Sequence, residues 1–266
     1  MENSEKNMLT RGKITIIAIG SFVVLFLAYY SIMLAVSTAR KQKELEVKFG
    51  LTEVGNDKID PRFYSDSAFL NLCKEKTFFQ SRILMAESDS LYITFNLIDS
   101  TANLELCGVK VLQAKMKDLK ISKILTHGDS YAVYSLLSSP MTIVNDISTI
   151  QKEPIMIKMA PKDTSEFVPD IAPDTSDVEP VNYILYMDNG IKIYVYQMDD
   201  TITTNKHKLF FFDLNDRLRY ASNSLKSVIT LKVPEYHPFI KIRLPKADAK
   251  ILYRSVPRHG QIAVFR

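Results

Sequence analysis

The sequence predicts an α+β fold, predominantly β, behind a single N-terminal transmembrane helix and a helical stalk. Three observations carry this reading. Residues 14–36 are 23 consecutive positions without a charge. Residues 37–89 hold good helix formers and apolar residues at three- and four-residue spacings, and from Ser90 the period drops to two. Composition sets the outer bounds. The 266 residues carry 34 Lys plus Arg against 30 Asp plus Glu, a net charge of +4, which is not the basic surface of a nucleic-acid binder. With 46% hydrophobic and 24% charged residues, the chain as a whole is not disordered. Two cysteines are too few for a disulfide scaffold or a four-thiolate zinc site.

The first element is the charge-free run. A helix over residues 14–36 rises about 34 Å at 1.5 Å per residue, enough to cross the hydrocarbon core of a bilayer. Tyr29 and Tyr30 stand near its end, where aromatic rings favour the interface. A secretory leader has a shorter apolar region, so an uncleaved anchor is expected. Residues 1–13 then form a short N-terminal segment ahead of the anchor. Lys6, Arg11 and Lys13 precede the run and Arg40, Lys41, Lys43 and Lys48 follow it, so flanking charge alone does not orient it.

Residues 37–89 are expected as a helical stalk and connector. Mixed charge over 37–50 extends the helix as a solvated stalk, and Gly50 ends it. Phe69, Leu70, Cys73, Phe78, Phe79, Ile83 and Leu84 give one or two more helices before Ser88.

Residues 90–266 read as the β-rich domain. Leu91, Ile93, Phe95 and Leu97 alternate with polar neighbours, a turn follows at 99–102, and Leu104 and Leu106 alternate with Glu105 and Cys107, which makes a hairpin. Further strands are expected at 109–116, 141–144, 155–159, 183–187, 191–196 and 262–265. Two helices interrupt them. Leu214, Leu218, Ala221 and Leu225 share a helical face, and 246–255 follows Pro245 with Ala247, Ile251 and Leu252 on one side. In the strand at 191–196, Ile191, Ile193 and Val195 share one face while Lys192, Tyr194 and Tyr196 share the other, which turns Tyr194 away from the core. Residues 161–180 carry four prolines and six acidic groups against one lysine, and read as an extended surface loop or a docking strip for a basic partner.

Motifs for phosphate, dinucleotide, nucleophile-elbow or zincin chemistry do not occur. His127, His207, His237 and His259 lack ligand spacing, so neither a metal site nor a cofactor is expected. Cys73 and Cys107 either pair in an extracytoplasmic setting or stand as separate thiols.

The C-terminal segment 240–265, IKIRLPKADAKILYRSVPRHGQIAVF, resembles the end of the L,D-transpeptidase catalytic domain. There a Cys-x-Arg segment precedes a Leu-Pro turn, a helix ending near Leu-Tyr, a Val-Pro turn and a last strand. Arg243, Leu244, Pro245, Asp248, Ala249, Leu252, Tyr253, Val256 and Pro257 match that pattern. Residues 91–116 are similar to the family's opening hairpin, 139–144 to its Thr-Pro-x-Gly-x-Phe region, and 189–194 to its histidine-bearing strand.

The resemblance implies an L,D-transpeptidase-like domain over 90–266, and a catalytically inactive one. That family acylates a cysteine with help from a histidine. Here the cysteine position is Lys241 and the histidine position is Tyr194, while the arginine persists as Arg243. No catalytic residue is assigned. Tyr194, Lys241 and Arg243 are the expected lining of a degenerate groove. The implied function is a membrane-anchored, non-catalytic module of the cell envelope that binds peptidoglycan or scaffolds envelope proteins. It would sit in the cytoplasmic membrane as a single-pass protein with residues 1–13 as a cytoplasmic N-terminus and its C-terminal domain periplasmic, and its partners would be the lipid bilayer and either of those ligands, with no nucleic acid. Two alternatives stand beside it: an interaction protein of a membrane complex without a groove, and an active enzyme using Lys241 as a replacement nucleophile.

Overall fold

The computed structural model describes residues 2–50, 66–152, 180–198 and 203–266. The strand expected at 155–159 and nearly all of the acidic proline-rich loop 161–180 lie outside these residues. The described chain is 50% helix against 27% strand, so it is a mixed α+β fold dominated by helix. This corrects the expectation of a predominantly β, L,D-transpeptidase-like domain. Most of the helix lies in α1 (Glu2–Phe49), α2 (Ser67–Ala86) and α5 (Thr203–Ile229); the first two fall on segments expected as helix, and α5 extends well beyond the expected face of Leu214, Leu218, Ala221 and Leu225. Among the described residues the sheet is open, with β3 (Val109–Lys115) and β4 (Lys117–Ile121) at its edges.

The chain forms two compact units. One comprises Met1–Lys43 and Asn215–Tyr236, the other Glu44–Leu214 and His237–Arg266. In the first unit, α1 has an apolar window long enough to cross a membrane, none of it buried within the protein. Phe26, Tyr29, Tyr30, Met33, Leu34 and Ser37 form its less exposed side, at helical spacing. The Ser37 hydroxyl donates to the Pro234 carbonyl at 2.6 Å. Burial raises the pKa of the Tyr220 hydroxyl, a hydrogen bond with Ser224 opposes the rise, and the nearby Tyr30 hydroxyl adds to it.

In the second unit, α1 closes at Gly50, whose N–H donates to Glu46 O at 2.8 Å. A Cβ there would lie 2.2 Å from the same carbonyl, so this tight helix end requires glycine. The expected stalk is not wholly solvated, since Leu45 is buried in the main core. α2 starts on Asp66, whose carboxylate accepts from the Ala68 N–H at 2.9 Å, an N-cap.

The strands are β1 (Tyr92–Asn96), β2 (Thr101–Leu106), β3 (Val109–Lys115), β4 (Lys117–Ile121), β5 (Met141–Ser148), β6 (Asn182–Met187), β7 (Lys192–Gln197), β8 (Phe239–Leu244) and β9 (Gln261–Phe265). The remaining helices are α3 (Lys123–His127), α4 (Ser130–Ser138) and α6 (Lys246–Ser255). Among the described residues, nine strands make one sheet in the order β3-β2-β1-β9-β5-β6-β7-β8-β4. β1 with β9 and β7 with β8 run parallel, and the other pairs are antiparallel.

Alternation along the strands feeds two faces. Ile93, Phe95, Ile193, Val195, Ile240, Ile242, Ile262 and Val264 enter the main core, together with Val133, Leu136 and Leu137 of α4 and Leu252 of α6. On the opposite face, Tyr92 and Ala263 join Phe78 and Met85 of α2, while Ile184, Tyr194 and Tyr196 join Leu209 and Phe212 of α5. Both faces of the sheet are therefore covered, and every residue of β7 is buried.

Candidate functional site

Tyr194, Lys241 and Arg243 are brought to one face by the β7–β8 pair. The β6–β7 turn sets the start of β7: Gly190 has φ +83°, and its N–H donates to Met187 O at 2.9 Å. β7 and β8 then pair in parallel, with Tyr194 opposite Lys241 and Tyr196 opposite Arg243. Residues two apart share a face, so Phe239, Lys241 and Arg243 stand beside Tyr194 and Tyr196.

The Lys241 ammonium lies 4.3 Å from the Tyr194 ring centroid, 5.5 Å from Tyr196 and 5.7 Å from Phe239. It also donates to Tyr196 Oη at 3.2 Å. That phenol donates in turn to Asp213 Oδ1 of α5 at 2.6 Å. Tyr194 stacks with Tyr196 and meets Phe239 edge-on, each at 6.2 Å between centroids. Tyr194 is 7% exposed, beneath Leu209 and Phe212 of α5.

Two of the three expected groove residues therefore converge, but in a packed cluster under a helix. The strand pattern correctly turned Tyr194 away from the main core. It did not show that α5 covers that second face. The third residue, on the same face, takes a different partner: Arg243 Nε is 3.5 Å from Asp118 Oδ2, and the Asp118 side chain is 72% exposed.

Chemically, the arrangement holds a cation against π faces and a phenol, a contact worth about 1–2 kcal/mol when desolvated. Among the described residues, the contacts of the Lys241 ammonium are to aromatic rings and a phenol. Cys73 and Cys107 are free thiols on α2 and in the β2–β3 turn. Among the described residues, no group of three or more His, Cys, Asp or Glu is arranged to hold a metal.

Sequence reasoning missed two other polar clusters. Glu105 of β2 is fully buried, although alternation had set it opposite the apolar positions Leu104 and Leu106. Its carboxylate accepts from Arg82 Nη2 at 2.8 Å and Nε at 3.0 Å, from Tyr92 Oη at 3.1 Å and from Thr94 Oγ1 at 2.7 Å. Four charge-assisted bonds compensate its desolvation. Burial, then the Glu105 charge and hydrogen bond, push the Tyr92 hydroxyl up to about 12. An acidic residue inside the strand Thr101–Leu106 was the only available signal, and its partner Arg82 sits on a helix 23 positions away.

The second cluster surrounds Tyr253 of α6. Its hydroxyl donates to Asp146 Oδ2 at 2.5 Å, and its ring packs on Tyr183 at 4.8 Å. Lys152 lies 5.1 Å from the ring and donates to Pro257 O at 3.3 Å. Burial, then Asp146, push Tyr253 up to about 12, while burial lowers Lys152. The Tyr183 hydroxyl, fully buried, has no hydrogen-bond partner among the described residues.

Comparison with protein-family models, with curated proteins and with solved structures finds no match to this chain.

Proposed function

We propose that this chain is a single-pass, membrane-anchored, non-catalytic interaction protein, with the unit built on the nine-stranded sheet serving as a scaffold for partner proteins of the cell envelope. The observation that carries the reading is the exposure of α1. An apolar window of this length in a soluble core would be buried by the rest of the molecule, and here none of it is. Side chains such as Ile17, Phe22 and Leu25 need an apolar solvent, which a bilayer supplies. The N-terminus is then cytoplasmic and the sheet unit extracytoplasmic. A C-terminal domain of this size translocates largely regardless of the cations that follow the span.

Two features support a scaffold rather than an enzyme or a peptidoglycan-binding groove. Lys241, the residue at the resembled nucleophile position, is engaged by three rings and a phenol beneath α5. The edge strand β3 exposes Val109 and Val111, and among the described residues it pairs only with β2. A free, partly apolar edge is a surface for strand addition by a partner.

Fractionation of cells producing the full chain tests the anchor. The chain should stay with membranes through salt and alkaline washes, and removal of residues 1–36 should release it. Recovery of a soluble product whose N-terminus begins after residue 36 would show a cleaved leader instead. A reporter fused after Arg266 that works only in the cytoplasm would reverse the orientation.

A further inference from the structure

We propose that Asn215–Tyr236, the second segment of the first unit, lies in the headgroup layer of the bilayer that α1 crosses, with its apolar side chains directed into the lipid. The inference rests on the anchor reading above and adds a second membrane contact to it.

The segment's amphipathicity is reversed. A helix on a soluble protein turns apolar residues inward and polar ones outward. Here Asp216, Ser224 and Val228, four or eight positions apart, are buried, with Tyr220 half-buried on the same side. Leu218, Leu225 and Ile229 are exposed on the other side, followed by Leu231. Ala221, between them, is exposed as well. A stripe that turns leucines out and buries a carboxylate needs an apolar medium on its outer side.

The position of the stripe identifies that medium. Tyr30, whose hydroxyl is close enough to influence Tyr220, and Ser37, which bonds Pro234, sit at the end of the charge-free run. Helix and bilayer core part at that level, so the segment is at headgroup depth and its stripe continues the exposed apolar surface of α1.

Charge favours lipid over a second copy. Arg217, Arg219, Lys226 and Lys232 are exposed, against a single exposed acid, Glu235, since the segment's other acid, Asp216, is buried. Two copies packed stripe to stripe would bring like cations together, whereas anionic headgroups would neutralise them.

The absence of tryptophan makes the test direct. Single probes are placed in the full chain by Val24→Trp in α1, Leu225→Trp in the stripe, Leu218→Trp as a second stripe site, and Val109→Trp on β3. Each protein is reconstituted in vesicles of phosphatidylcholine and phosphatidylglycerol, with or without bromine on the acyl chains. Circular dichroism checks that each variant is folded. The expected result is a blue-shifted, bromine-quenched emission at Val24, Leu225 and Leu218, and an aqueous, unquenched emission at Val109. Charge reversal by Arg219→Glu with Lys226→Glu should reduce quenching at Leu225 and leave Val24 unchanged. Quenching at Val24 with aqueous emission at both stripe sites would overturn the inference and leave the anchor standing. A stripe emission that is blue-shifted without quenching and grows with protein concentration would assign the stripe to a second copy. Loss of quenching at Val24 itself would remove the anchor reading and this inference with it.

Discussion

The two units solve opposite problems with the same residue types. In the sheet unit, Ile193, Val195, Leu136 and Ile262 are withdrawn from solvent, and the buried charge Glu105 is met by four donors. In the helical unit, Ile17, Phe22, Leu218 and Leu225 face outward, while Ser37, Lys41, Asp216 and Ser224 are buried. Hydrophobic burial drives folding only when the outer medium is water. On the proposed anchor reading, the reversal arises because the two units face different media, and substitutions should separate them.

The largest effect is expected at Glu105. Glu105→Ala leaves the Arg82 guanidinium, the Tyr92 phenol and the Thr94 hydroxyl without their shared acceptor. Removing one member of a buried charged network costs about 3–5 kcal/mol. Chemical denaturation of the full chain in detergent measures it. A cost below about 1 kcal/mol would mean the carboxylate contributes no more than a surface pair.

Next is a direct contrast of apolar truncations. Leu136→Ala in the main core should cost about 2–5 kcal/mol, as transfer and cavity terms add. Leu225→Ala should leave the denaturation midpoint of the sheet unit unchanged, within about 0.5 kcal/mol. Its effect should appear in membrane association. Equal losses in the two variants would erase the distinction between the units.

The pattern of this distinction shows what was readable in advance. The charge-free run at 14–36 and the period-two strands were legible because each depends on local periodicity alone. α4, β4 and the first half of α5 were not. The run Leu209–Phe212 is continuously apolar, and such a run fits a helix or a buried strand equally well. Missing that half of α5 also hid the cover over Tyr194. The pairing of Tyr194 with Lys241 depended on parallel register, and that of Glu105 with Arg82 on a helix docking across the sheet. Both are tertiary facts with no local trace.

Titration offers a milder probe of the sheet unit. Tyr92 and Tyr253 both have hydroxyls raised from 10.0 to about 12 in the fold. Between those values the folded chain holds protons that the unfolded chain has released. Their contribution to stability is complete below pH 10 and falls as pH rises toward about 12. Stability measured across that window should decline with a slope that flattens in Tyr253→Phe. An unchanged slope would show that Tyr253 titrates alike in both states.

The smallest effects distinguish the two cations of β8. Lys241 and Arg243 sit two residues apart on one strand and point to one face, yet their surroundings differ. Lys241→Met removes a cation from three rings and a bond to Tyr196, and should cost about 1–2 kcal/mol. Methionine keeps most of the stem that packs there, so the loss reports the charge rather than the volume. Arg243→Ala removes a 3.5 Å contact with an exposed aspartate, and should change stability by about 0–0.5 kcal/mol. The Arg243 effect should shrink further in high salt, because ions screen an exposed pair, while the Lys241 effect should persist because the rings exclude them. If the two variants behaved alike in both conditions, Lys241 would be as solvated as Arg243. The cover formed by α5 would then be open in solution, and the face carrying Tyr194 would again be accessible to a ligand.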